Sequence, residues 1–292
     1  MKTLSDYAGF VEASLEMAMT DNDIPELLSR AMRYSLLSGG KRLRSSMLLA
    51  AVEMMDGDVR EAVPYACAVE MIHAYSLIHD DLPGMDDDVL RRGKPTNHVV
   101  FGVGQAILAG DGLLSEAFEH MLAAALKSDS PSKHIRAMAE IARGAGARGM
   151  VAGQCVDLSC EDKRYGGRDE LEYIQENKTA CMFIYPLRAA CRLCGREGWE
   201  LEALTDYARA FGHMFQTADD LLDVEGDPAL LGKSVGKDEA SGKLTAVSVY
   251  GVELARDYVG QYLDAGLEAI KPFGERGRFF SVLIKDMVGR DK

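Results

Sequence analysis

Apolar residues recur at intervals of three and four along nearly the whole chain. The pattern predicts amphipathic helices over 4–19, 25–37, 43–55, 63–82, 105–126, 132–151, 168–194 and 201–224, with two more over 243–265 and 277–288. Strand-like alternation is scarce, and β-branched pairs such as Val99-Val100 are too short to argue for a sheet. Glycine and proline punctuate the helices at Ser38-Gly39-Gly40, Pro83-Gly84, Gly93 to Pro95 and Gly232 to Gly236. Neither a low-complexity linker nor a repeat interrupts the pattern. The prediction is an all-α fold, a single domain over 1–292 of about ten helices. The segments 179–194 and 211–222 are apolar on most faces, which marks helices buried among others.

Two acidic clusters break the helical monotony. The first is His79-Asp80-Asp81-Leu82-Pro83-Gly84-Met85-Asp86-Asp87-Asp88, with five carboxylates that repel one another unless cations neutralise them. A solvated acidic loop is the ordinary reading of such a run. Here, however, the cluster ends the apolar stretch 66–78, which ties it to a buried helix. Pro83-Gly84 then breaks the helix and lets Asp86 swing back towards Asp80. The second cluster is Phe215-Gln216-Thr217-Ala218-Asp219-Asp220-Leu221-Leu222-Asp223. Asp219 and Asp223 are one helical turn apart, so they share a face and suit one ion. Oxygen ligands with open positions fit Mg²⁺, which takes one or two carboxylates together with substrate phosphates.

Positive charge gathers beside these clusters. Lys41, Arg42 and Arg44 follow the glycine pair at the entry to a predicted helix, where backbone N–H groups favour an anion. Arg91 and Arg92 directly follow the first cluster, and an arginine fork grips phosphate oxygens in pairs. Lys178-Thr179 and the stretch Gly232-Lys233-Ser234-Val235-Gly236-Lys237 add further donors. A surface cation is the plainer reading of each alone. In combination they suit two diphosphates, one held through metal and one held by cations. Metal and cationic side chains also stabilise charge on a leaving diphosphate. The chain contains no HExxH or P-loop pattern.

Composition narrows the picture further. The chain is 47% hydrophobic and 27% charged, which argues against disorder, and its formal net charge of -13 makes it a poor partner for nucleic acid or an anionic membrane. No apolar run approaches the length of a spanning helix, and no targeting segment is apparent, so no membrane insertion and a cytoplasmic location are expected. Six cysteines follow no secreted-scaffold pattern. Cys191 and Cys194 form a CxxC with neither a second pair nor a nearby histidine, so reduced thiols are expected.

The chain resembles the trans-isoprenyl diphosphate synthases, and most closely the bacterial farnesyl diphosphate synthases. The likeness runs over residues 39–292 through GGKRLR, HAYSLIHDDLPGMDDDVLRRGKPTNH, LAGDGLL, GMVAGQCVDL, NKTA, FQTADDLLDVEGD, GKSVGKD and a closing RDK. It implies a helical fold around a central cavity, a homodimer, and three Mg²⁺ ions. By motif, Asp80 and Asp86 resemble metal ligands, with Asp81 a further candidate, and Asp219 and Asp223 resemble the second metal pair. Lys41, Arg44, His73 and Arg92 match residues that bind isopentenyl diphosphate. Arg91, Lys178, Thr179, Gln216 and Lys233 match those on an allylic diphosphate. The implied catalytic set is Asp80, Asp81, Asp86, Arg91, Lys178, Asp219, Asp220, Asp223 and Lys233. The implied reaction ionises an allylic diphosphate, adds the isopentenyl double bond, and loses a proton to the released diphosphate.

Product length is read from Tyr75 and Ser76. Tyr75 precedes Asp80 by five residues, roughly 7–8 Å along a helix. A ring there blocks a growing tail, and family members with such a ring and the Pro83-Gly84 expansion typically make the farnesyl chain. The chain departs from the family pattern at Ser45, where proline is common, at Thr217-Ala218, and at Ala246-Val247 in the KxTxP stretch. Alternatives are a geranylgeranyl or longer-chain synthase, a terpene cyclase, and a non-catalytic regulatory subunit of a prenyl synthase. Lys41, Arg44 and Arg92 disfavour a cyclase, and two intact acidic motifs disfavour an inactive subunit. A histidine-aspartate phosphohydrolase would need more histidine ligands than His73, His98 and His213 supply.

Overall fold

The computed structural model describes residues 2–20, 23–161, 166–225 and 243–288. Lys233, the GKSVGKD stretch and the closing RDK lie outside the described residues. The chain divides into two compact units, Met1–Met138 with Arg192–Gly195, and Ala139–Cys191 with Arg196–Lys292.

The first unit is built around one buried helix. Its elements are α1 (Leu4–Ala18), α2 (Glu26–Leu36), α3 (Leu43–Met54), α4 (Val59–Asp80), a hairpin of β1 (Leu90–Arg91) and β2 (Lys94–Pro95), α5 (Asn97–Phe101), α6 (Val103–Lys127) and the start of α7 (Pro131–Ala145). Helix α4 packs on α6 and α3 and touches α1 and α2. Tyr65, Ala66, Ala68, Val69, Met71 and Ile72 are therefore all sealed from water. That burial is the stabilising term, at about 1.5–3 kcal/mol for each large apolar side chain. The sequence pattern starts this helix at 63, but it begins at Val59. Asp58 accepts the Arg60 N–H at 2.9 Å and caps the first turn. Pro83 ends it. Val99 and Val100 lie in the short helix α5, and the two-residue hairpin was not expected from the sequence.

The second unit contains the rest of α7, α8 (Met150–Glu161), α9 (Arg168–Ile174), a π-helical turn (Gln175–Ala180), α10 (Cys181–Leu193) except its last two residues, α11 (Trp199–Glu225), α12 (Ala246–Tyr250), α13 (Val252–Ile270), a 3₁₀ turn (Lys271–Gly277) and α14 (Arg278–Val288). Helix α11 runs along α13, and Tyr207, Phe211, Phe183 and Phe280 form its aromatic core. The Tyr207 hydroxyl donates to the Phe280 carbonyl at 2.8 Å, satisfying its buried polar tip.

Three expected helices are subdivided. The stretch 132–151 breaks between Ala145 and Met150, because the chain folds back so tightly that a Cβ on Gly149 would lie 2.2 Å from the Gly144 carbonyl oxygen. The stretch 168–194 is helical as far as Leu193 but widens into the π turn. The stretch 243–265 breaks at Gly251, whose φ of 78° no β-branched residue adopts cheaply. None of the six cysteines is in a disulfide. No described helix is long and apolar enough to cross a membrane.

Candidate active site

In the first unit the acidic motif begins in the last turn of α4. After the Pro83-Gly84 break the chain doubles back, and the Asp86 N–H donates to the Asp80 carbonyl at 2.8 Å. The left-handed backbone of Asp87 (φ 49°) completes the turn. Asp80 and Asp86 are thereby brought together, both partly exposed. Asp81 goes elsewhere. It is 3% exposed and its carboxylate grips Arg91, at 2.9 and 3.0 Å from Nε and 2.6 Å from the outer nitrogen. Burial pushes the Asp81 carboxyl up from its usual range, and the Arg91 guanidinium opposes it. Asp81 thus acts on Arg91, fixing the direction of its fork from β1.

Arg92 follows at the hairpin turn with φ 52°. Its guanidinium donates to Ser38 Oγ at 3.3 Å and to the Gly39 carbonyl. A Cβ on Gly40 would lie 2.8 Å from that guanidinium, and the φ of 130° at this position already favours glycine. His73, Arg91 and Arg92 line one cavity together with Tyr34, Ser38 and Glu70. Burial pushes the His73 imidazole well below its ordinary pKa, and the charges of Arg44, Arg92, Arg91 and Arg42 push it further. A neutral His73 inside a ring of arginines suits an anionic ligand. Lys41 is exposed and Arg44 partly buried, on either side of Arg42 at the start of α3.

Tyr75 is buried on α4 and meets the His79 ring edge-on at 5.8 Å. His79 is held in turn by the Ile107 carbonyl at 3.1 Å and by close approach to Gly110, where a Cβ would lie 2.1 Å from Nε2. Ser76 donates its hydroxyl to the His73 carbonyl at 3.0 Å, within its own helix.

In the second unit the acidic motif occupies the last two turns of α11. Asp219 is partly exposed and Asp223 buried, one turn apart on the same face. Asp220 is also buried and accepts from Gln216 Nε2 at 2.9 Å and from the Ala246 N–H at 2.7 Å. It therefore fastens the start of α12 and orients Gln216. Gln216 accepts from the Thr179 hydroxyl at 2.9 Å, linking the two predicted ligands of the allylic group. The π turn presents Lys178, which pairs with buried Asp157 on α8. The approach is possible because Gly153 has no Cβ; one would lie 2.2 Å from the Lys178 nitrogen.

Sequence reasoning missed Glu70, Asp157 and Gln154. The last two stand in the GMVAGQCVDL motif, and both amide atoms of Gln154 are buried without a hydrogen-bond partner among the described residues. Among the described residues, no group of three histidine, cysteine or acidic side chains could hold a metal on its own. Each motif instead supplies a pair of carboxylates. That donor set fits a magnesium ion whose remaining positions are filled by phosphate and water.

The sequence profile of the polyprenyl synthetases matches residues 25–271. The chain belongs to the polyprenyl synthetase family. It is 48% identical over 262 residues to the heterodimeric geranylgeranyl pyrophosphate synthase large subunit 1, chloroplastic, of Arabidopsis thaliana, across 88% of this chain and 70% of that one. It is 39% identical over 288 residues to the farnesyl diphosphate synthase of Geobacillus stearothermophilus, across 99% and 97%. The crystal structure of an FPP/GFPP synthase from Zymomonas mobilis is similar with a TM-score of 0.87, at 31% identity, across 98% and 97%. The all-α isoprenoid-synthase fold and the prenyltransferase class expected from the motifs both hold. The names of these polyprenyl synthetases differ in product length.

Proposed function

We propose that this prenyltransferase condenses isopentenyl diphosphate with dimethylallyl and then geranyl diphosphate to give (2E,6E)-farnesyl diphosphate, as a cytoplasmic homodimer acting as a single domain. Two sets of side chains serve one reaction. Arg92, Lys41, Arg44 and neutral His73 hold the isopentenyl diphosphate by charge and hydrogen bonds. Arg91, oriented by Asp81, acts on the allylic diphosphate with Lys178, Thr179 and Gln216, and so does Lys233 outside the described residues. Asp80 with Asp86, and Asp219 with Asp223, would hold magnesium ions, three with substrate bound. When bound, magnesium neutralises diphosphate charge and makes it a better leaving group. Arg91 and Lys178 take up the negative charge that develops as the allylic carbon–oxygen bond breaks. The isopentenyl double bond then attacks the allylic carbon, and the departed diphosphate removes the proton.

The observation that carries the C15 product is Tyr75, buried five residues before Asp80 and braced by His79. A C20 product is the second reading, favoured by the geranylgeranyl synthases among the relatives. Support for a homodimer comes from a row of exposed apolar side chains on α5 and α6: Val99, Val100, Val103, Ile107 and Leu108. Six cysteines without a disulfide suit a reducing compartment. The test incubates the protein with isopentenyl diphosphate, Mg²⁺ and each of the C5, C10 and C15 allylic diphosphates, then identifies the product length. A C15 end product is expected. Absence of condensation with every primer sinks the synthase reading, and a C20 main product sinks only the farnesyl assignment.

A further inference from the structure

Arg42 combines two unfavourable features. Its side chain is 5% exposed, and its backbone is left-handed (φ 49°, ψ 35°) immediately before α3. A buried guanidinium needs a counter-ion, and a non-glycine residue in this conformation persists only where its surroundings enforce it. Its buried counter-ion is Glu70 on α4, 3% exposed, with Oε2 at 3.0 Å from an outer nitrogen of Arg42, while the more exposed Glu12 lies 3.7 Å from Nε. The other outer nitrogen donates to the Leu36 carbonyl at 2.8 Å, which closes the loop from α2 to α3.

The second oxygen of Glu70 reaches the far side of the same turn. It accepts from Ser45 Oγ at 2.7 Å and lies 3.4 Å from the Ser45 N–H. One carboxylate therefore ties Arg42 and Ser45 together, and Lys41 and Arg44 sit on the turn it holds. Proline has neither a hydroxyl nor an N–H, so the Ser45 contacts depend on this chain's departure from the common proline. Glu70 also offsets the charge of Arg42.

We infer that Glu70 is a positioning residue for isopentenyl diphosphate: through Arg42 and Ser45 it fixes the left-handed turn that presents Lys41 and Arg44. This rests on the site reading above. The test compares the full chain with Glu70→Gln and Ser45→Ala. Calorimetric titration with isopentenyl diphosphate in the absence of metal reads binding, and steady-state kinetics give separate KM values for isopentenyl and geranyl diphosphate. Glu70→Gln is expected to weaken isopentenyl diphosphate binding about tenfold, and Ser45→Ala about threefold, with kcat and the geranyl KM held within about twofold. Equal rises in both KM values, a fall in kcat alone, or no change would each overturn the inference. Should Glu70→Gln fail to fold, Ser45→Ala decides by the same split. A wild-type chain that does not bind isopentenyl diphosphate overturns the site reading and this inference with it. Wild-type binding that both variants match removes only the role of Glu70.

Discussion

At the residue scale, neighbouring aspartates of one motif have different tasks. Asp80 and Asp81 are adjacent in sequence, yet one is partly exposed and the other is buried on Arg91. The repeated Asp-Asp was legible in the sequence. The division of labour was not, because it depends on a hairpin ten residues on that brings Arg91 back to α4. Tyr75 shows the same limit: its place before Asp80 was readable, while its support by His79 and Gly110 was not. Replacing Tyr75 by alanine is expected to lengthen the product beyond C15, as chromatography of the dephosphorylated chains would show. An unchanged product would reduce Tyr75 to a packing residue. His73 carries a prediction in pH. Its folded-state pKa lies well below its ordinary value, so in acid the unfolded chain binds a proton that the native state refuses. Its contribution is present above about pH 6.5 and lost as pH falls below that. Thermal midpoints of His73→Gln should therefore decline less steeply than wild type between pH 6.5 and 5. Parallel curves would contradict it.

At the scale of elements, helix positions followed from apolar spacing, whereas helix ends and irregular turns followed from contacts. The Asp58 cap that sets the start of α4 was not read from the sequence, whose apolar pattern begins at 63. The π turn at Gln175–Ala180 was not visible, since NKTA differs little from an ordinary helical stretch. It exists where α8 comes close enough at Gly153 to touch the Lys178 backbone. Gly153→Ala should force these elements apart, destabilising the fold by about 1–3 kcal/mol and disturbing the Lys178–Asp157 pair. Denaturant titration measures the first effect, and the KM for the allylic substrate the second. Wild-type values for both would show that the contact is slack.

At the scale of the whole molecule, metal and assembly are the open chemical questions. Because each motif offers only a pair of carboxylates, Mg²⁺ alone should barely raise the melting temperature, while Mg²⁺ with inorganic diphosphate should raise it by several degrees. Strong stabilisation by metal alone would mean a preformed ion site. For assembly, Leu108→Glu puts a charge into the exposed apolar row on α6, and sedimentation should shift from dimer to monomer. A wild-type monomer would remove the homodimer proposal. The sequence by itself determined the helical class, the two acidic motifs, the clustered cations and the family, because periodicity and motif spacing act within a few turns of chain. Only the tertiary structure decided that Asp81 serves Arg91, that Asp220 fastens α12, that Gly153 admits Lys178, and that Glu70 governs Arg42 and Ser45. Those pairings join residues ten or more positions apart in sequence, and they come into being only when the hairpin and the helices have packed.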